Sequence, residues 1–92
     1  MLSRIDKGRA VIAEKLDIPK DIIMSLPKIT ITGDEEITIE NHKGIILFER
    51  NLIKINTKIK ALNIQGENFE ILYIGDSTIT ISGKFKAIAY EV

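Results

Sequence analysis

The chain holds a single imidazole, His42, so any proton-transfer chemistry depends on what stands beside it. Glu40 lies two residues before it, and two such residues share a face on a strand, which would let Glu40 orient His42 as a general base. Asn41, Lys43 and Gly44 are turn-forming neighbours that break this geometry. They favour a structural turn with His42 exposed and with Asn41 or Gly44 in a left-handed conformation. Asp34-Glu35-Glu36 offers oxygens to a divalent cation, but without Asp-x-Asp-x-Asp-Gly spacing three acids at a hairpin tip read as solvated. Ser3, Ser25, Ser77 and Ser82 lack a neighbouring His and acid pair. Gly33, Gly44, Gly66, Gly75 and Gly83 stand singly, as at positions that need a positive φ, and no Gly-x-Gly-x-x-Gly or Walker loop cradles phosphate. With no cysteine there is no thiol nucleophile, disulfide framework or zinc finger. The residue types therefore predict no catalytic centre, no cofactor and no metal.

One charged pattern stands out. Lys58 and Lys60 correspond to Lys84 and Lys86 in a later, similar stretch, and each pair has the spacing of one strand face. On adjacent strands they would form a four-lysine patch for anionic lipid or an acidic partner. Outward Lys is also how sheet edges discourage unwanted pairing, and that is the stronger of the two readings. The aromatics, Phe48, Phe69, Tyr73, Phe85 and Tyr90, read as core fillers and lack the basic rim of an RNA-binding sheet. Thirteen basic against thirteen acidic residues also argues against a general nucleic-acid binder.

These residues are positioned by two kinds of segment within one small domain of 92 residues, 45% hydrophobic. Residues 1–27 read as a helical leader: Leu2, Ile5, Ile12 and Leu16 fall on one helix face, and Pro19 and Pro27 break the pattern. Its stripe of Ile5, Ile12 and Leu16 is a candidate docking surface, because something must cover it. Residues 28–92 change to period 2. Strands are expected near 29–32, 37–40, 45–49, 52–56, 59–65, 69–74, 78–82 and 85–91, separated by turn residues. Without helix-length crossovers this is an antiparallel β domain, a sandwich, with a small barrel or a meander as the alternative. Its buried face should carry Ile29, Ile31, Ile37, Ile39, Ile53, Ile55, Leu62, Ile64, Ile71, Ile79, Ile81 and Ile88. Apolar runs are far short of a membrane span, and the N-terminus lacks a signal peptide's apolar block, which predicts a cytoplasmic product.

The chain also echoes itself. Ile53-Lys54-Ile55 and the residues after it resemble Ile79-Thr80-Ile81 and its continuation at an offset of 26, and Ile37-Thr38-Ile39 is a weaker copy at an offset of 16. Unequal offsets exclude a solenoid and suggest repeated β-hairpins.

Leu26-Pro27-Lys28-Ile29-Thr30-Ile31-Thr32-Gly33, Ile39-Glu40-Asn41-His42-Lys43-Gly44-Ile45, Leu62-Asn63-Ile64-Gln65-Gly66, and Ile81-Ser82-Gly83 with Ala89-Tyr90 together resemble the YabP/YqfC family of sporulation proteins. The Ile-Glu-Asn-His-Lys-Gly stretch is the most specific part, and Asn41, His42, Lys43 and Gly44 carry over as a family-marked turn without a chemical role. The resemblance implies an immunoglobulin-like β-sandwich made during sporulation in the mother cell of an endospore-forming Firmicute. It also implies a genetic association with a membrane protein, YqfD, and brings no enzymatic activity or cofactor. Two functional classes follow. One is a non-enzymatic adaptor or assembly component that binds the membrane protein or further copies of itself, peripheral on the membrane and without a small-molecule substrate. The other is a small regulatory domain that binds a ligand.

Overall fold

The computed structural model describes residues 24–92. The proposed leader residues Ile5, Ile12 and Leu16 lie outside this range. Six strands follow in chain order: β1 (Lys28–Thr32), β2 (Glu36–Glu40), β3 (Ile45–Phe48), β4 (Leu52–Ile55), β5 (Leu62–Gly75) and β6 (Thr78–Tyr90). All neighbours pair antiparallel, and the ladders join the strands into one sheet in the order β1-β2-β6-β5-β4-β3.

All eight expected strand segments exist, but four of them fuse. The stretches around 59–65 and 69–74 become β5, and those around 78–82 and 85–91 become β6. What separates the fused segments is a bend where the composition predicts a turn. Gly83 has a φ of 153°, and a Cβ there would stand 2.7 Å from Phe69 Cδ1 and 2.9 Å from the Glu67 carbonyl oxygen. A Cβ on Gly66 would strike the Lys84 carbonyl oxygen and come within 2.9 Å of Phe69 Cζ. The two glycines face each other's strands where the register of the long hairpin shifts and Asn68, Phe69 and Gly83 drop out of the ladder, the signature of a bulge that bends a strand pair. The Phe69 and Phe85 rings stack there, 5.4 Å between centroids.

The bend divides the sheet into two halves of the same design. In one, β1 and β2 extend the start of β6 and the end of β5. The pairing aligns Ile29-Ile39-Ile79-Ile74 and Ile31-Ile37-Ile81-Ile71 into two isoleucine rows across four strands. In the other, β3 and β4 extend the start of β5 and the end of β6, aligning Ile45-Ile55-Leu62-Tyr90 and Phe48-Ile53-Ile64-Ile88. The two central members of every row are fully buried, four residues from each half, and all eight belong to one cluster with Phe69. The buried residues of both halves thus belong to one core cluster.

The pairing order reads the same from either edge of the sheet, with β1 and β2 in the places of β3 and β4. The hairpin tips correspond too: Gly83 and Phe85 donate to the carbonyls of Glu35 and Asp34, and Gly66 donates to that of Asn51. The sequence echo at offset 16 is the structural correspondence, since it maps Ile29, Ile37 and Ile39 onto Ile45, Ile53 and Ile55. The stronger echo at offset 26 aligns β4 with the start of β6, which only shares its inward alternation. The stretch from Ile79 to Ile88 is accordingly one strand and not a hairpin.

Burial departs from the alternation at the row ends. Ile29 and Ile88 are partly covered, whereas Ile31 and Ile71 are 51% and 41% exposed. Both stand in the row whose central members Ile37 and Ile81 are fully buried, but each sits on an outermost strand of its half.

Candidate functional site

The family-marked segment, Asn41 to Gly44, does not form a hairpin, because β2 and β3 lie on opposite sides of the sheet. It carries the chain from one half to the other. The His42 N–H donates to the Ser77 carbonyl in the β5–β6 turn (3.1 Å), and the Lys43 N–H donates to the Asn56 carbonyl beyond β4 (2.7 Å). Asn56 N–H in turn donates to the Gly44 carbonyl at 2.8 Å. Both Asn41 and Gly44 take positive φ, 64° and 121°, as the turn composition predicts. The Asn41 Nδ2 donates to the Leu26 carbonyl at 2.9 Å, tying down the residues that enter β1.

Because the crossing closes the end of the core, His42 is buried, contrary to the exposed ring predicted for a hairpin turn. Its Nδ1 accepts the Gly44 N–H at 3.0 Å, which puts the ring proton of the neutral form on Nε2. That Nε2 is buried and has no hydrogen-bond partner among the described residues. Burial lowers the imidazole pKa from its ordinary value of 6.5. Protonation would also place a hydrogen on Nδ1, where the Gly44 N–H now donates. With Gly44 as its partner the ring serves as a neutral clamp on the crossing.

The four lysines do not form the strand-face patch. Lys58 and Lys60 stand in the loop between β4 and β5, which Thr57 organises: its buried hydroxyl donates to the Lys60 carbonyl (2.6 Å) and accepts the N–H groups of Ile59 and Lys60. Lys58 Nζ caps the Met24 carbonyl at 2.7 Å. Lys84 and Lys86 lie on β6 near the bend, each with acids as neighbours. Lys84 reaches Asp34 at 3.4 Å and Glu35 at 3.5 Å, and Lys86 reaches Glu67 at 3.5 Å. The hydrogen bond and charge of Asp34, with the charge of Glu35, raise the Lys84 pKa. Two of the acids considered for a cation thus face an ammonium group, and among the described residues no group of three His, Cys, Asp or Glu side chains could hold a metal.

What the residue patterns missed is an edge. β4 pairs with β5 only from Leu62 to Gln65, so residues 70–75 have β6 on one side and, among the described residues, no strand on the other. Ile71, Leu72, Tyr73 and Ile74 are 41%, 54%, 52% and 55% exposed. The signal was present in the sequence: this is a run of four apolar residues in which alternation fails. A register shift between Ile71 and Tyr73 makes Leu72 the extra residue, so Ile71 and Ile74 both pair with core-facing residues, Ile81 and Ile79. β3, with Ile46 and Phe48 exposed, is a second apolar edge, whereas β1 begins with Lys28 and the outer part of β6 carries Lys84 and Lys86. The hollow lined by Asn51, Leu52, Gln65, Gly66, Glu67 and Lys86 is shallow and open to solvent. Among the described residues no helix is long and apolar enough to cross a membrane.

The model of the YabP family matches residues 25–92, a span that takes in all six strands and the crossing segment. The chain belongs to the YabP family. A relative in Bacillus subtilis (strain 168), the uncharacterized protein YqfC, is 36% identical over 90 residues, covering 98% of this chain and 97% of that protein. That likeness extends into the residues before 25, which the family model leaves out. No solved structure matches. The stretch from Ile39 to Ile45 that carried the family resemblance is thus the crossing of this fold.

Proposed function

We propose that this YabP family protein is a non-enzymatic assembly component of sporulation that works by presenting sheet edges and its leader to other proteins. The observation that carries this reading is the open edge at residues 70–75, where four consecutive apolar side chains stand half-exposed on a stretch of β5 that, among the described residues, is paired on one side alone. Open apolar edges are costly in a protein that works alone, since they invite pairing with other chains. The partner is a membrane protein of the mother cell, YqfD, which holds this chain as a peripheral component on the cytoplasmic side. Neither a cofactor nor a small-molecule substrate enters this role. The bent sheet, with the buried residues of both halves in one core cluster, is read as the sandwich architecture, immunoglobulin-like in outline, that the family resemblance implies.

Fractionation of sporulating cells with and without YqfD tests the proposal. The protein should sediment with membranes and crosslink to YqfD when that protein is present, and become soluble when it is absent. Recovery in the soluble fraction of both strains, with no crosslinked partner, would overturn the docking role. A melting temperature raised by a metabolite in a thermal-shift screen would then favour the small regulatory domain.

A further inference from the structure

An open β-strand edge presents a row of N–H and C=O groups that water satisfies in the isolated chain and that, among protein elements, an added strand matches in spacing and direction. A helix does not offer that match, because its own backbone groups are already paired along the helix. The occupant of residues 70–75 is therefore sought among strands, and the leader, whose periodicity is helical, is the poorer fit.

The edge is complementary to itself. In an antiparallel pair of two copies with the twofold axis between residues 72 and 73, Leu72 lies opposite Tyr73 of the second copy and Ile71 lies opposite its Ile74. Directly opposed residues must share a face. In a regular strand, residues 71 and 74 would point to opposite faces, so this register would set an inward side chain against an outward one. The bulge at Leu72 removes the conflict, because Ile71 and Ile74 pair on the other side of β5 with Ile81 and Ile79, both inward. Both rows then run across the axis without a break: Ile31-Ile37-Ile81-Ile71 continues into Ile74-Ile79-Ile39-Ile29 of the second copy, and the reverse holds for the other row. The charges agree. Glu70 falls opposite Gly75, Asp76 falls opposite Phe69, and no two like charges are opposed.

We infer that two copies of this chain pair antiparallel through residues 70–75 of β5, so that the two four-stranded halves become one eight-stranded layer. The inference rests on the reading of the edges as docking elements and not on the identity of the membrane partner. Four half-exposed side chains offer much less than the ~800 Å² per partner of standard interfaces, which places the dimer in a weak, concentration-dependent class.

The test uses the purified full-length chain. Sedimentation equilibrium across a dilution series should show a dimer at about 100 µM that dissociates near micromolar concentration. Leu72→Lys should be monomeric throughout while keeping the native circular dichroism spectrum and a cooperative melt. The chain has no cysteine, so the register can be read directly. Leu72→Cys mixed with Tyr73→Cys should oxidise to a covalent heterodimer in preference to either homodimer. A native chain that stays monomeric at 100 µM, as it would if the leader or another protein covers this edge, overturns the inference. So does a dimer that survives Leu72→Lys, or one in which the mixed cysteines do not crosslink. A monomer that still fractionates with membranes refutes the pairing alone; a dimer that stays soluble in cells refutes the membrane docking alone.

Discussion

Ile31 and Ile37 are direct cross-strand partners in one isoleucine row, chemically identical and one strand apart, yet they are 51% and 0% exposed. Replacing either by Ala removes the same three carbons and the same β-branched stem, so the two variants differ in burial and in edge against interior strand position and not in the chemistry removed. At Ile37 the transfer loss is about 0.8 kcal/mol per carbon, and a void closed on all sides adds a cavity cost, giving about 3–4 kcal/mol in total. At Ile31 half the side chain already meets water and any void opens to solvent, leaving about 1 kcal/mol. The difference, about 2–3 kcal/mol, corresponds to roughly 10–20 °C in Tm for a domain of this size. Urea and thermal unfolding followed by far-ultraviolet circular dichroism, at one fixed protein concentration, measure both variants. If Ile37→Ala leaves too little folded protein, Ile37→Val against Ile31→Val preserves the comparison, with about 0.5–1.5 kcal/mol expected for the buried site and less for the other. Equal losses at the two positions would refute the claim that the core covers the centre of the row and not its end on β1.

Three further outcomes follow from the bend and the crossing. The folded His42 ring holds its proton less tightly than the unfolded chain does, so its contribution to stability is complete above about pH 6.5 and is lost as the pH falls through that value towards the lower folded pKa. His42→Gln should flatten this part of the profile in unfolding titrations run from about pH 7.5 to 5.5, and an unchanged slope would show that the ring does not titrate with folding. Gly66→Ala, whose Cβ must displace the Lys84 carbonyl oxygen or the Phe69 ring, should cost more than ~2 kcal/mol in urea unfolding and reduce the protection of β5 and β6 amides around the bend in hydrogen exchange. Gly44→Val meets no neighbouring atom within 4 Å, so its cost comes from the backbone angle of 121° alone. It should lower stability by more than ~1 kcal/mol without altering the core signals in a methyl spectrum.

Much of this fold was legible in the residues because strand alternation is local. The period of two places every Ile of the pairs Ile37 and Ile39, Ile53 and Ile55, and Ile79 and Ile81 on one face whatever partner the strand finds, and all six are fully buried. Turn chemistry is local too: Asn41 and Gly44 hold their positive φ within four residues of sequence. Tertiary structure decided everything that depends on which strand lies alongside. A glycine between apolar segments signals a turn and a bend equally well, and only the approach of Gly66 and Gly83 to each other's strands makes them bends. Alternation assigns Ile31 and Ile71 to the core face but cannot say that their strands lie outermost in their half. His42 is buried because the connection it sits on spans the end of the core, a consequence of β2 and β3 joining different halves. The lysines at 58, 60, 84 and 86 share a spacing, but Thr57 holds the first two in a loop while Asp34, Glu35 and Glu67 engage the others. The open edge at residues 70–75 exists for the same reason as the core: the strand long enough to serve both halves must leave one side unpaired where β4 ends.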